Sequence, residues 1–187
     1  MIPAPLPSTQ RDAAIERWWR AQAERSVSFR PVTVADAAFI LKLRTDPDLN
    51  RHLSLVSDDL AAQESWIAGS MQRSRLGEEF YFLILHQGQP VGTVRLYDFQ
   101  QDSFCWGSWI IVPGTPARVA LQSAAGVYEV GHHVLGFPRA HFEVRKDNAS
   151  VNRFHRRTGA VLISEDACSH HYSIDAKTAI EALIQNK

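Results

Sequence analysis

Between Gly136 and Ala160 the chain reads GFPRAHFEVRKDNASVNRFHRRTGA, a segment that leaves its backbone few choices. Ala140, Phe142 and Val144 alternate with His141 and Glu143, the period-two pattern of a strand with two unlike faces. Lys146, Asp147 and Asn148 follow as a turn. Asn148 suits the cap of a helix, where the first backbone N–H groups need an acceptor, and Gly159 suits the left-handed position that ends one. About three helical turns fit between them, with His155 near the last. A strand followed at once by a short polar helix is the unit of an α/β fold.

The remaining elements extend that unit. Residues 1–7 hold three prolines and read as a loose tail. Thr9-x-x-Asp12 then opens a helix with Ile15, Trp18, Trp19 and Gln22 on one face, which must dock either on the domain or on a second copy, as a homodimer contact. Residues 27–32 read as a first strand, and Thr33-x-x-Asp36 opens a helix with Ala37, Ile40, Leu41 and Leu43 on its apolar side. A second helix fits residues 58–75, with Leu60, Trp66, Ile67 and Met71 as a stripe. Residues 80–85, 91–97 and 104–112 read as three strands joined by turns, and residues 117–135 have the length and spacing of a central helix ended by Gly136. After Gly159 come strands at 161–164 and 170–174 and a last helix from Ala176. Residues 1–26 are thus a tail and docking helix, and 27–187 the body.

Composition narrows what such a body can do. A chain of 187 residues can bury roughly 70% of its unfolded surface. Twenty basic and twenty acidic residues cancel, which argues against the broad cationic surface of a non-specific nucleic-acid binder. Two cysteines, Cys105 and Cys168, have no metal-ligand or disulfide-framework spacing. The start of the chain lacks a cationic segment leading into an apolar core, and no apolar run approaches the roughly 20 residues of a membrane span. A cytoplasmic protein without membrane partners is expected. The adjacent pairs His132-His133 and His170-His171 point to different faces of a helix or strand, so no metal is expected.

Asn148, His155 and Gly159 sit where the GNAT superfamily of acetyl-CoA-dependent acetyltransferases has an Asn after its fifth strand, a Tyr seven residues on and a Gly four further. The chain resembles that superfamily over about residues 27–174. The Tyr is a His here, and the usual closing Gly-Phe is Gly159-Ala160. The resemblance implies a mixed, largely antiparallel central sheet flanked by helices, with the helix before residue 27 as an addition. It implies acetyl-CoA as co-substrate, held by backbone near Ile110, Ile111 and Val112, by a phosphate loop, and by Asn148. Family register places the pattern positions of that loop at Thr115, Arg118 and Ala120, with Val119 at the free position between the last two, and of the three only Ala120 matches the family pattern. Arg118 replaces a glycine, so it either adds a cation to the phosphate site or closes the pocket of a relative that no longer transfers acetyl groups and serves as a binding module.

The family attacks the thioester directly with an amine. His155, at the Tyr position, is the expected acid or hydrogen-bond donor to the departing sulfur, against the alternative of a surface histidine beside Arg153, Arg156 and Arg157. The fourth strand carries no carboxylate base, which leaves Glu143, Asp98, Asp102 and Glu79 as candidates by position. Cys105 reads as core. The segment from Arg44 to Ser54 resembles the early region of relatives that acetylate amino sugars on nucleotide carriers and of those that acetylate protein N-termini. Arg44 and His52, with Arg51 and Arg73, would meet the phosphates of a nucleotide-linked amino sugar. A protein N-terminus or a small amine is the alternative acceptor.

Overall fold

The computed structural model describes residues 4–185. Seven strands, β1 (Val27–Pro31), β2 (Phe80–His86), β3 (Gln89–Tyr97), β4 (Ser103–Ile111), β5 (Arg139–Arg145), β6 (Val161–Glu165) and β7 (Ser169–Asp175), form one sheet in the order β1-β2-β3-β4-β5-β7-β6. Every neighbouring pair is antiparallel except β4 and β5. Six helices flank it: α1 (Ser8–Ala21), α2 (Ala37–Thr45), α3 (Leu60–Arg75), α4 (Ala117–Glu129), α5 (Ala149–Arg157) and α6 (Ala176–Gln185). The mixed α/β sheet expected from the sequence is the one found. Among the described residues, no helix is long and apolar enough to cross a membrane.

β2 explains why a continuous apolar run makes a strand here. Phe80, Phe82 and Ile84 enter a core with Phe29, Phe104, Val127 and Tyr128 under α4, while Tyr81 and Leu83 enter a second core with Ile40 and Ile67 under α2 and α3. Both faces of the strand are buried, so neither face has to be polar. α1 belongs to the first core through Ile15 and Trp18, whose ring packs against Phe29 and Phe82. It therefore covers the domain. Its start differs from expectation: Ser8 already lies in the helix and no side chain caps it, so Thr9 is an interior residue. Residues 1–3 lie outside the described residues, but the rest of the expected loose tail is tied down, with Leu6 N–H donating to Leu135 O and the Arg11 guanidinium to Leu6 O.

The α2 entrance follows the sequence reading, because the Asp36 carboxylate accepts the Thr33 N–H at 2.8 Å, here across one 3₁₀ turn before α2. The α3 stripe is narrower than expected. Ile67 is fully buried, whereas Leu60 and Trp66 are exposed. The central helix is not uniform: after Glu129 it widens into a π-helical turn, Val130–Val134. Gly131 lies there against the Phe104 ring, which a β-carbon would approach to 2.2 Å. β6, at the sheet edge, is exposed throughout and has a bulge between Leu162 and Ser164.

Candidate active site

The parallel junction between β4 and β5 is short. Ser103, Phe104 and Cys105 pair with Arg139, Ala140 and His141, and then the strands part. β4 bends at that point because its pairing with β3 shifts between Thr93 and Arg95, leaving Ser108 at a positive φ of 49° with its carbonyl accepting the Thr93 hydroxyl at 2.8 Å. The gap is a cavity of about 330 Å³ lined by Gly107, Trp109, Glu143, Asn148, His52 and His155 among others. Along its β4 wall, the Val112 N–H is donated to Val91 O, and Val112 O accepts the Thr115 N–H. Both backbone groups of Val112 are therefore spent. Strand alternation points Ile110 towards β3 as well, its register partner being Thr93, and turns the N–H and C=O of Ile111 away from β3, to the side from which β5 has parted. Of the three residues expected to offer backbone to a ligand, Ile111 is the one so placed.

His155 is not on a solvated face. It is 4% exposed, its ring centroid lies 4.0 Å from that of Phe142, and Trp106, Phe154 and Tyr172 surround it. Nδ1 has no partner. Burial lowers its pKa to about 3, so the imidazole is neutral at physiological pH. Of the two roles expected of His155, acid or hydrogen-bond donor, burial favours the second. What remains open to it is hydrogen bonding. Arg153, Arg156 and Arg157 obscured the spacing of Val151, His155 and Thr158, which is that of an inward helical face.

Asn148 caps α5, accepting the Val151 N–H at 3.3 Å, and its side chain also lines the cavity. The sequence did not single out Asn152. Its side chain is buried and saturated: Nδ2 donates to Arg145 O and Asn148 O at 2.8 Å each, and Oδ1 accepts the Tyr172 hydroxyl at 2.7 Å. This bond set fixes the turn between β5 and α5, and with it Asn148.

Above the gap, the N-terminus of α4 has Pro116 at its cap with no side chain satisfying it, so the Ala117 and Arg118 N–H groups belong to the orphan set of a helix start. Val119 is in the core and its N–H is bonded to Pro116 O. Ala120 is half-buried and its carbonyl accepts the Ser123 hydroxyl. Arg118 is exposed on the first turn, and Gly114 just before it takes a left-handed φ of 84°. Between α4, α5 and α6 lies a second cavity, about 640 Å³, whose polar lining includes Arg153 and Arg157.

Of the four carboxylate candidates, Glu143 alone lines the gap. Glu79 is buried against Ser70, Arg73 and Arg95, Asp102 pairs with Arg139, and Asp98 meets His141. The last contact completes a Ser103–His141–Asp98 row, with 2.9 Å at each step, at the closed end of the junction. Cys105 is buried with its pKa raised to about 11, first by burial, and is part of the core as expected. Arg44 is not free: its Nη2 donates to Ser54 O and Oγ at 2.8 and 3.0 Å. His52 lines the gap, with Nδ1 3.3 Å from Asp147 Oδ1 in a contact that is not a hydrogen bond. No group of three His, Cys, Asp or Glu able to hold a metal occurs among the described residues.

The family model for the acetyltransferase (GNAT) domain matches residues 26–161, and the chain belongs to that family. Among solved structures it is similar to apo FdhC, described as a nucleotide-linked sugar GNAT, with 41% identity over 86% of this chain and 93% of that one and a TM-score of 0.78. Mycobacterium smegmatis RimJ in complex with CoA-disulfide shares the fold at 18% identity, covering 86% of this chain and 88% of that one, with a TM-score of 0.70. So does Vibrio cholerae spermidine N-acetyltransferase in complex with CoA and spermine, at 14% identity, 83% and 98% coverage and a TM-score of 0.72. A comparison with curated proteins finds no match.

Proposed function

We propose that the chain moves an acetyl group from acetyl-CoA to the primary amine of a nucleotide-linked amino sugar. The open β4/β5 junction carries the transfer reading. Ile111 offers unpaired backbone to the amides of the pantetheine arm, Asn148 faces it from the β5 side, and the start of α4 with Arg118 offers N–H groups and a cation to the pyrophosphate. Arg153 and Arg157 suit a further phosphate at the far end of the molecule. An exposed Arg118 favours a cation at the phosphate site over a plugged pocket.

The chemistry follows from what lines the gap. The amine nitrogen attacks the thioester carbonyl, the C–N bond forms, the C–S bond breaks, and the nitrogen's proton passes to the Glu143 carboxylate, directly or through one water. Neutral His155 donates a hydrogen bond to the sulfur as charge gathers there, and the thiolate takes its proton from solvent. Cys105, held protonated, takes no part. The acceptor rests on likeness to the relative described as a nucleotide-linked sugar GNAT.

Calorimetric titration with acetyl-CoA tests the first half. Saturable micromolar binding is expected, and ligand at ~100 times its dissociation constant should stabilise the fold by about 2.7 kcal/mol. Release of CoA in the presence of nucleotide-linked amino sugars tests the second half. No binding at millimolar acetyl-CoA sinks the transfer reading, and turnover with peptide N-termini or polyamines alone sinks the acceptor.

A further inference from the structure

Beneath α2 and α3 the charges do not balance. The Glu79 carboxylate, 8% exposed, accepts hydrogen bonds from Ser70 and from Arg73, whose Nε and Nη2 lie at 3.0 and 3.2 Å, while Arg95 Nη1 stands 3.8 Å away. Arg95 is only 20% exposed, with its guanidinium 4.2 Å above the Tyr97 ring and 5.4 Å from that of Trp66. Arg44 approaches the same place from α2. Burial holds its pKa below the ordinary value, and the charge of Arg95 pushes the same way. Two guanidiniums thus share one carboxylate, and the third, that of Arg44, is bonded to Ser54 and has no carboxylate partner of its own. The Nε atoms of Arg44 and Arg95 are both buried without a hydrogen-bond partner. Half-buried like charges repel in a medium of low dielectric, and unpaired buried donors signal a missing ion or water.

The position of this cluster matters as much as its charge. Arg95 pairs across the strand with Gly107, which lines the gap, and the Tyr97 ring that carries the Arg95 guanidinium reaches Gly107 with its hydroxyl. Arg44 holds Ser54, in the loop whose Leu49, His52 and Leu53 form the gap's outer wall. Cross-strand partners project from the same face, so Arg95, Cys105, His141 and Glu143 share the face of the sheet opposite α4. The cluster therefore adjoins the gap from the side where Glu143 waits.

We propose that Arg44 and Arg95 form an anion site that takes the phosphate groups of the acceptor, a nucleoside diphosphate carrying the amino sugar. The fork of a guanidinium matches phosphate oxygens in pairs, and an arriving dianion would supply the charge the cluster lacks. The identity of the anion's owner rests on the transferase reading above; the existence of the site does not.

The test is titration of the CoA-saturated protein with UDP, dTDP and inorganic pyrophosphate, for the wild type and for Arg44→Gln, Arg95→Gln and Arg95→Lys. Lys177→Gln, on exposed α6, is the control. Nucleoside diphosphate binding that weakens with salt, falls tenfold or more in each Gln variant and is kept in the control supports the site. Arg95→Lys keeps the charge without the fork and should fall between, so a misfolded Gln variant does not decide the matter. Absence of binding by all three probes, equal binding by every variant, or displacement of UDP by CoA overturns it. Nucleotide binding with no acetyl-CoA binding would leave the anion site standing and remove the transferase. Acetylation of a phosphate-free amine by a protein that ignores all three probes would do the reverse.

Discussion

At its closed end the β4/β5 junction pairs Phe104 with Ala140 and buries the Phe104 ring beside Tyr128, Phe137 and the bare backbone of Gly131. Three and four residues further along β4, Gly107 and Ser108 stand across a cavity from Glu143 and Asn148. One strand pair thus has a packed, apolar end and an open, polar one. The closed end is latched on its other face by Asp98–His141–Ser103 and by Arg139 on Asp102, which mark where the strands begin to part. The difference teaches that a single seam can hold a stabilising end and, on the transferase reading, a reacting one. Changes at one end should be felt there and little at the other.

The largest expected effect is at the closed end. Phe104→Ala removes a fully buried ring and should cost about 3–5 kcal/mol in urea unfolding, with acetyl-CoA affinity changed far less in the fraction that remains folded. At the open end, Glu143→Gln should lower turnover roughly 10²- to 10⁴-fold and leave the melting temperature and acetyl-CoA affinity alone. A Glu143→Gln protein of normal turnover would break the division outright. His155 links the two ends because it is buried yet lines the gap. Its pKa is about 3 when folded and 6.5 when exposed, so the unfolded chain binds the extra proton. Stability is complete above 6.5 and falls as pH drops towards 3, at no more than about 1.4 kcal/mol per pH unit for this one group. Comparison of wild type with His155→Gln across that range isolates the slope, and identical profiles would place the proton elsewhere. The smallest effect belongs to Asn148. Asn148→Ala should lose about 1 kcal/mol of cap, whereas Asn148→Asp keeps the cap, and any loss of acetyl-CoA affinity it shows reports contact with the ligand.

Much of the fold was legible because its signals are local. The alternation in β5, the Thr33–Asp36 box and Asn148 as a cap each depend on residues a few positions apart. The site was legible only in outline. Which of four carboxylates lines the gap could not be read, since it depends on which ones find a partner elsewhere: Arg73 and Arg95 for Glu79, Arg139 for Asp102, His141 for Asp98. Asn152 was invisible because two of its partners, His170 and Tyr172, lie 18 and 20 residues away. Arg95 joins Arg44 and Glu79 through the β2/β3 register, which sets Tyr81 beside Arg95 and cannot be read from any one segment.

The three-pair seam also has a consequence in time. β1 to β4 are joined by antiparallel steps, β2 to β3 and β3 to β4 by short turns, whereas β5 can reach β4 only after α4 has been laid across the sheet. Non-local parallel pairing is slow, and here only three residue pairs are there to reward it. Refolding should therefore protect the amides of β2 and β3 before those of β5 and β7, which pulse-labelled hydrogen exchange would resolve. On a ribosome the same order means that half the sheet waits, with β4 as a bare edge, until the strand that closes it has been made.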